Sequence, residues 1–69
     1  MEVKLIKLTR KLTGEQVLIN PYRIIAIEGN NEGSSIFLAG KLSYSVRETP
    51  DEISNLVYDT GWNRVYNAP

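Results

Sequence analysis

Val46-Arg47-Glu48-Thr49-Pro50-Asp51-Glu52-Ile53 is the stretch where the chain changes its period. Before it, apolar residues alternate as on a half-buried strand. After it, Ile53, Leu56 and Val57 recur at the spacing of one helical face. The stretch also holds the parts of a helix start in order. Thr49 stands where an N-cap belongs, and Pro50 suits the first helical position because the missing N–H is an orphan there anyway. Asp51 favours the positive helix end, and Glu52, three residues after Thr49, completes a capping box. Gly61 is the expected C-terminal stop.

Working back toward the N-terminus, the chain reads as strands. Residues 4–10 form the first, with Ile6 and Leu8 alternating with Lys7 and Thr9 while Leu5 breaks the pattern. Thr13-Gly14-Glu15 is a turn, and residues 16–20 form a second strand with Val17 and Ile19 on one face. Asn20-Pro21 forces the chain out of the ladder, since proline has no N–H to donate. Residues 23–28 are a third strand, Gly29 to Gly33 a polar hairpin loop, and residues 35–39 a fourth strand. Gly40 turns the chain into a fifth strand over 42–47, where Leu42, Tyr44 and Val46 share a face. Loops this short favour antiparallel hairpins. The expected fold is α+β: a small, mainly antiparallel five-stranded sheet with one C-terminal helix, in a single domain over 1–61 followed by a tail, 62–69.

Composition excludes several classes. Sixty-nine residues with 42% hydrophobic and 23% charged side chains suit one small globular domain rather than a disordered chain. A chain this short buries only about 60% of the surface it exposes when unfolded. Eight basic and eight acidic residues cancel, which disfavours nucleic acid as the main partner. With no cysteine, disulfides and zinc–thiolate sites are excluded. With no histidine, the usual general base and the commonest metal ligand are missing. No apolar run reaches the roughly 20 residues of a membrane span, so membrane insertion is not expected. The charged, alternating N-terminus lacks the features of a secretory signal, which makes the cytoplasm the expected location.

Two surfaces stand out. If the helix covers Ile6, Leu8, Val17, Ile19, Ile25, Ile27, Ile36, Leu38, Tyr44 and Val46, alternation places Leu5, Leu18, Ile24, Ala26 and Phe37 on the opposite face. Leaving these in water forgoes roughly 1.5–3 kcal/mol per large side chain, so a cover is expected. Leu5, Leu18, Ile24 and Phe37 are the candidate self-association face, and the tail folding back is the other candidate cover. In that tail, Trp62, Arg64 and Tyr66 offer planes that stack on a base or anchor a protein, and Arg47 is a further candidate contact. The same residues also suit a tail anchored on its own sheet. Glu28 and Glu32 are the only loop carboxylates placed for paired chemistry, and solvated loop charges are the simpler reading. No catalytic residue and no cofactor is expected.

Ile6-Lys7-Leu8-Thr9-Arg10, Gly14, Val17-Leu18-Ile19-Asn20-Pro21 and the strand from Ile24 to Glu28 resemble the small bacterial FlbD family, associated with flagella and swarming motility. Ile36-Phe37-Leu38-Ala39-Gly40-Lys41 is similar to the family's hairpin. Val46-Arg47-Glu48-Thr49-Pro50-Asp51-Glu52-Ile53 is similar to its last strand, its Glu and its helix start. The likeness covers roughly residues 4–58. It implies a cytoplasmic, non-enzymatic module that supports flagellar motor function by protein binding, expected here as a homo-oligomer. The Asn30-Asn31-Glu32-Gly33-Ser34 loop and the Trp-bearing tail depart from the family pattern. An alternative expectation is therefore a phage-encoded accessory protein that binds a host factor or sequesters a small nucleotide at subunit interfaces.

Overall fold

Period-two apolar residues make two hairpins and a third strand, and the change of period makes the helix that covers them. In the computed structural model, which describes residues 4–60, β1 (Ile6–Thr9) pairs antiparallel with β2 (Gln16–Ile19). A 3₁₀ turn, Pro21–Arg23, follows, capped by the Asn20 side chain, which accepts from the Tyr22 N–H at 2.9 Å. Pro21 is buried, and the chain leaves the first ladder there. Then β3 (Ile24–Asn30), β4 (Gly33–Leu38) and β5 (Leu42–Val46) form an antiparallel meander, and α1 (Pro50–Asp59) closes the described chain. The expected class stands: five antiparallel strands and one helix. The strands lie in two ladders, of two and three, rather than in one.

The ladders meet at a short seam. Arg10 bridges Val46, the Lys11 N–H donates to the Ser45 carbonyl at 2.9 Å, and the Arg47 N–H donates to the Thr9 carbonyl at 2.9 Å. Counting this seam, the spatial order runs β2-β1-β5-β4-β3, so β2 and β3 are the outer strands. The core between sheet and helix is Ile6, Leu8, Ile19, Ile36, Leu38, Val46, Ile53 and Val57. Each of these, kept from water, contributes roughly 1.5–3 kcal/mol. Among the described residues no helix is long and apolar enough to cross a membrane.

The helix start has the expected geometry. The Glu52 N–H donates to Thr49 Oγ1 at 3.2 Å, and the Thr49 N–H donates to Glu52 Oε1 at 2.9 Å, a complete capping box. The helix ends at Asp59 with Thr60 as C-cap, and Gly61 lies outside the described residues.

Two expectations need correction. The Gly29 to Gly33 loop is mostly strand, because a turn at Asn31 and Glu32 suffices. Asn30 Oδ1 accepts the Glu32 N–H at 2.9 Å, which tightens that turn. Ile24 and Ile25 exchange faces. A bulge between Ile24 and Ala26 inserts Ile25 as an extra residue, so Ile25 is 70% exposed while Ile24 packs on the core. Leu42, Tyr44 and Val46 do share a face, opposite Leu38, Ile36 and Ser34 of β4. Leu42 stands at its hairpin end, 53% exposed, beside Gly40 and Lys41, which both take positive φ.

Gly33 is required by a close approach. Its φ is 141°, and a Cβ there would overlap the Val46 carbonyl oxygen and sit 2.9 Å from Arg47 Cα, both backbone. Gly33→Ala is therefore expected to cost about 3 kcal/mol or more, whereas Thr49→Ala should cost about 1 kcal/mol through the lost cap. Urea denaturation of the two variants checks both values.

Candidate functional site

Polar groups concentrate where β5 hands over to α1. The Thr9 N–H donates to Glu48 Oε1 at 2.9 Å, and the Thr9 hydroxyl donates to Oε2 at 2.8 Å. Ser34, fully buried, donates its hydroxyl to the Glu48 carbonyl at 2.8 Å. Glu48 thus ties β1, β4 and the strand-to-helix junction together. Sequence reasoning did not single it out as a site residue. Its signal is a carboxylate lying between the last strand and the cap, with a threonine at the end of the first strand to receive.

Three basic side chains around the β1–β2 turn are engaged in structure. Arg47, expected as a partner contact, directs Nε and Nη2 to the Lys11 carbonyl at 3.3 and 3.2 Å and braces the β1–β2 turn. Arg10 lies over the Tyr44 ring, 4.9 Å from its centroid. Lys11 Nζ pairs with Glu32 Oε1 at 3.3 Å, so Glu32 meets a lysine, while Glu28 stands across from Ser35 on β4. Among the described residues no group of three metal-ligating side chains occurs. Trp62, Arg64 and Tyr66 lie outside the described residues.

The candidate self-association face is divided. Leu5 and Leu18 are exposed on the first ladder, and Phe37 is exposed on the second. Ile24 has turned inward, and Ile25 has taken its outward place. Ala26 stands directly opposite Phe37, so Ile25, Ala26 and Phe37 carry the apolar outer surface of β3 and β4.

Beside this strip lies an apolar groove of about 260 Å³, lined by Pro21, Ile24, Ile25, Ala26, Ile27, Ser54 and Val57. The helix sets its direction. Gly29, near the end of β3, leaves only enough room for Pro50: a Cβ there would lie 2.9 Å from Pro50 Cγ. Val57, at the other end of α1, shares the groove with Pro21 and Ile24. The helix therefore runs antiparallel along β3, with the groove beside its last turns. Ser54 is the small residue that the helix presents to it. A second, more polar hollow of about 290 Å³ lies by the β1–β2 turn, lined by Arg10, Lys11, Leu12, Thr13, Ser43, Tyr44 and Ser45.

No family model matches the chain, and no characterised protein or solved structure matches it either.

Glu48→Ala removes the acceptor of two Thr9 donors and is expected to cost about 1–3 kcal/mol. Glu48→Gln, which keeps one acceptor oxygen, should recover part of that loss. Thermal denaturation of both variants against the parent chain measures the difference.

Proposed function

We propose that this chain is a small, non-enzymatic interaction module of the FlbD-like type, acting by protein binding and first by binding a second copy of itself. One observation carries the reading: β3 is a seven-residue outer strand with one side open. It pairs with β4, and no strand among the described residues pairs with its other edge. Edge strands are usually blunted by lysine, proline, short length or a bulge. From Ile24 to Asn30 there is no lysine and no proline, and Glu28 is the one charge. The bulge disturbs only the first residues and leaves Ile27–Asn30 in regular register. An antiparallel copy of β3 satisfies the open backbone groups and makes the apolar outer surfaces of Ile25, Ala26 and Phe37 in the two copies parts of one continuous sheet face. In the FlbD-like reading, such a module supports flagellar motor function in the bacterial cytoplasm by contact alone.

A second reading is a phosphate-bearing small ligand held between copies, as a phage accessory protein would hold it. The hollow beside Arg10 and Lys11 favours it, because these two basic residues line one concavity with Thr13, Ser43 and Ser45.

Native mass spectrometry of the gently purified chain separates these. The interaction module predicts a ligand-free oligomer, and Ile25→Lys and Phe37→Lys each reduce it to monomer. Ile25 is 70% exposed, so Ile25→Lys should leave the thermal midpoint nearly unchanged. A parent chain that stays monomeric at high micromolar concentration overturns the self-association. An oligomer carrying a few hundred daltons per interface moves the assignment to the ligand-holding reading.

A further inference from the structure

We infer that the hollow beside the β1–β2 turn seats the C-terminal end of an extended partner peptide, whose free carboxylate meets Arg10 and Lys11. The lining shows where the hollow lies. Ser43, Tyr44 and Ser45 are consecutive in β5, and all three line it. Consecutive strand residues point to opposite faces, so one concavity reaches all three only along the strand's edge. β5 pairs with β4 over its whole length, so the edge concerned is the one turned to β1. There β1 covers only part of it. The last backbone bond of the seam runs from the Lys11 N–H to the Ser45 carbonyl, and the chain then turns away through Leu12 and Thr13.

Alternation gives the groups left on that edge. Ser45 and, just past the strand, Arg47 turn backbone groups toward β1. Ser43, two residues earlier in regular register, therefore turns its N–H and carbonyl the same way, where no described residue bonds them. The Lys11 carbonyl accepts the Arg47 guanidinium and takes no bond from the Ser45 N–H. A segment lying in the lane that β1 vacates thus finds the N–H and carbonyl of Ser43 and the N–H of Ser45, which is the chemistry of an added strand. Toward the seam this lane is closed by β1 itself, so a chain running that way must end at Lys11. Charge selects which end. Arg10 and Lys11 stand there and no carboxylate side chain lines the hollow, so a terminal carboxylate is attracted and a terminal ammonium repelled. Arg10 meets the Tyr44 ring, a contact that supplies no oxygen to its N–H groups. The Lys11–Glu32 pair is a surface pair, which exchanges partners at little cost. Leu12, 92% exposed, offers the last peptide side chain an apolar contact. A phosphate-bearing small ligand uses the cations but leaves the Ser43 carbonyl facing anionic oxygens, so the peptide end is the better fit. The inference rests on the protein-binding reading above but not on self-association, since β4 stands between this edge and β3.

The probe is an acetylated tetrapeptide of alternating threonine and valine with a free carboxylate, compared with its C-terminal amide. Binding is read from the amide shifts of the nitrogen-15-labelled chain. The free acid should shift the Lys11, Ser43 and Ser45 amides saturably, and amidation should weaken binding about ten-fold. Arg10→Gln should do the same, and Lys11→Gln serves as the second variant if loss of the Tyr44 contact unfolds the first. No shift at low millimolar peptide overturns the inference, as does equal binding of acid and amide. Equal binding of inorganic phosphate at the same amides overturns it too and returns the hollow to the ligand-holding reading. Shifts confined to β3 overturn it by placing the peptide on the other open edge. Native mass of the same samples reads self-association separately, so loss of one proposal is not mistaken for loss of the other.

Discussion

The Glu48 carboxylate decides how the two halves of this molecule meet. The two ladders are each held by local hairpins, and neither needs the other for its own hydrogen bonds. Their polar union rests on the two backbone hydrogen bonds of the Arg10–Val46 bridge, on Arg47 and Glu32 meeting Lys11, and on Glu48 accepting both donors of Thr9. A carboxylate accepting two hydrogen bonds binds more strongly than a neutral acceptor in the same place. Because Glu48 immediately precedes the N-cap, the same residue orients the start of α1. The buried Ser34 hydroxyl adds a bond to its carbonyl, and Gly33 lets the β3–β4 turn come against the backbone of Val46 and Arg47. Strand, turn and helix therefore converge on one junction, where any loss is felt by all three.

Features coded by neighbours in sequence were legible from the sequence. Thr49 and Glu52 are three residues apart and form the capping box wherever a helix begins. Pro21 stops a ladder because it lacks a donor, whatever surrounds it. The strand count and antiparallel sense follow from short loops. Features set by distant contacts were not legible. The bulge at Ile25 arises from matching β3 to β4, and alternation alone places Ile24 and Ile25 the wrong way round. Glu48 acquires its role from Thr9, 39 residues away. The groove is lined from both β3 and α1, which two other strands separate along the chain, so no local pattern marks it. Arg47 looked free to meet a partner because nothing local shows that the Lys11 carbonyl lies within its reach.

The outer surfaces divide by chemistry. Around the β1–β2 turn, cations are committed to a ring, a carbonyl and a carboxylate. Around β3 the surface is apolar and the backbone edge is open, which is the combination that adds a strand rather than a small molecule.

The seam has a kinetic consequence. Each hairpin closes a short loop and forms quickly, on the microsecond scale typical of such turns. Joining Thr9 to Glu48 closes a loop of nearly forty residues, and its entropic cost must be met before the helix gains a fixed platform. During synthesis the β1–β2 hairpin leaves the ribosome long before β5 exists to receive it. Its buried-side residues Ile6, Leu8 and Ile19 then wait in water until the last third of the chain arrives. Folding of this small protein is in that sense a C-terminal event, and truncation before β5 leaves two hairpins with nothing to join them.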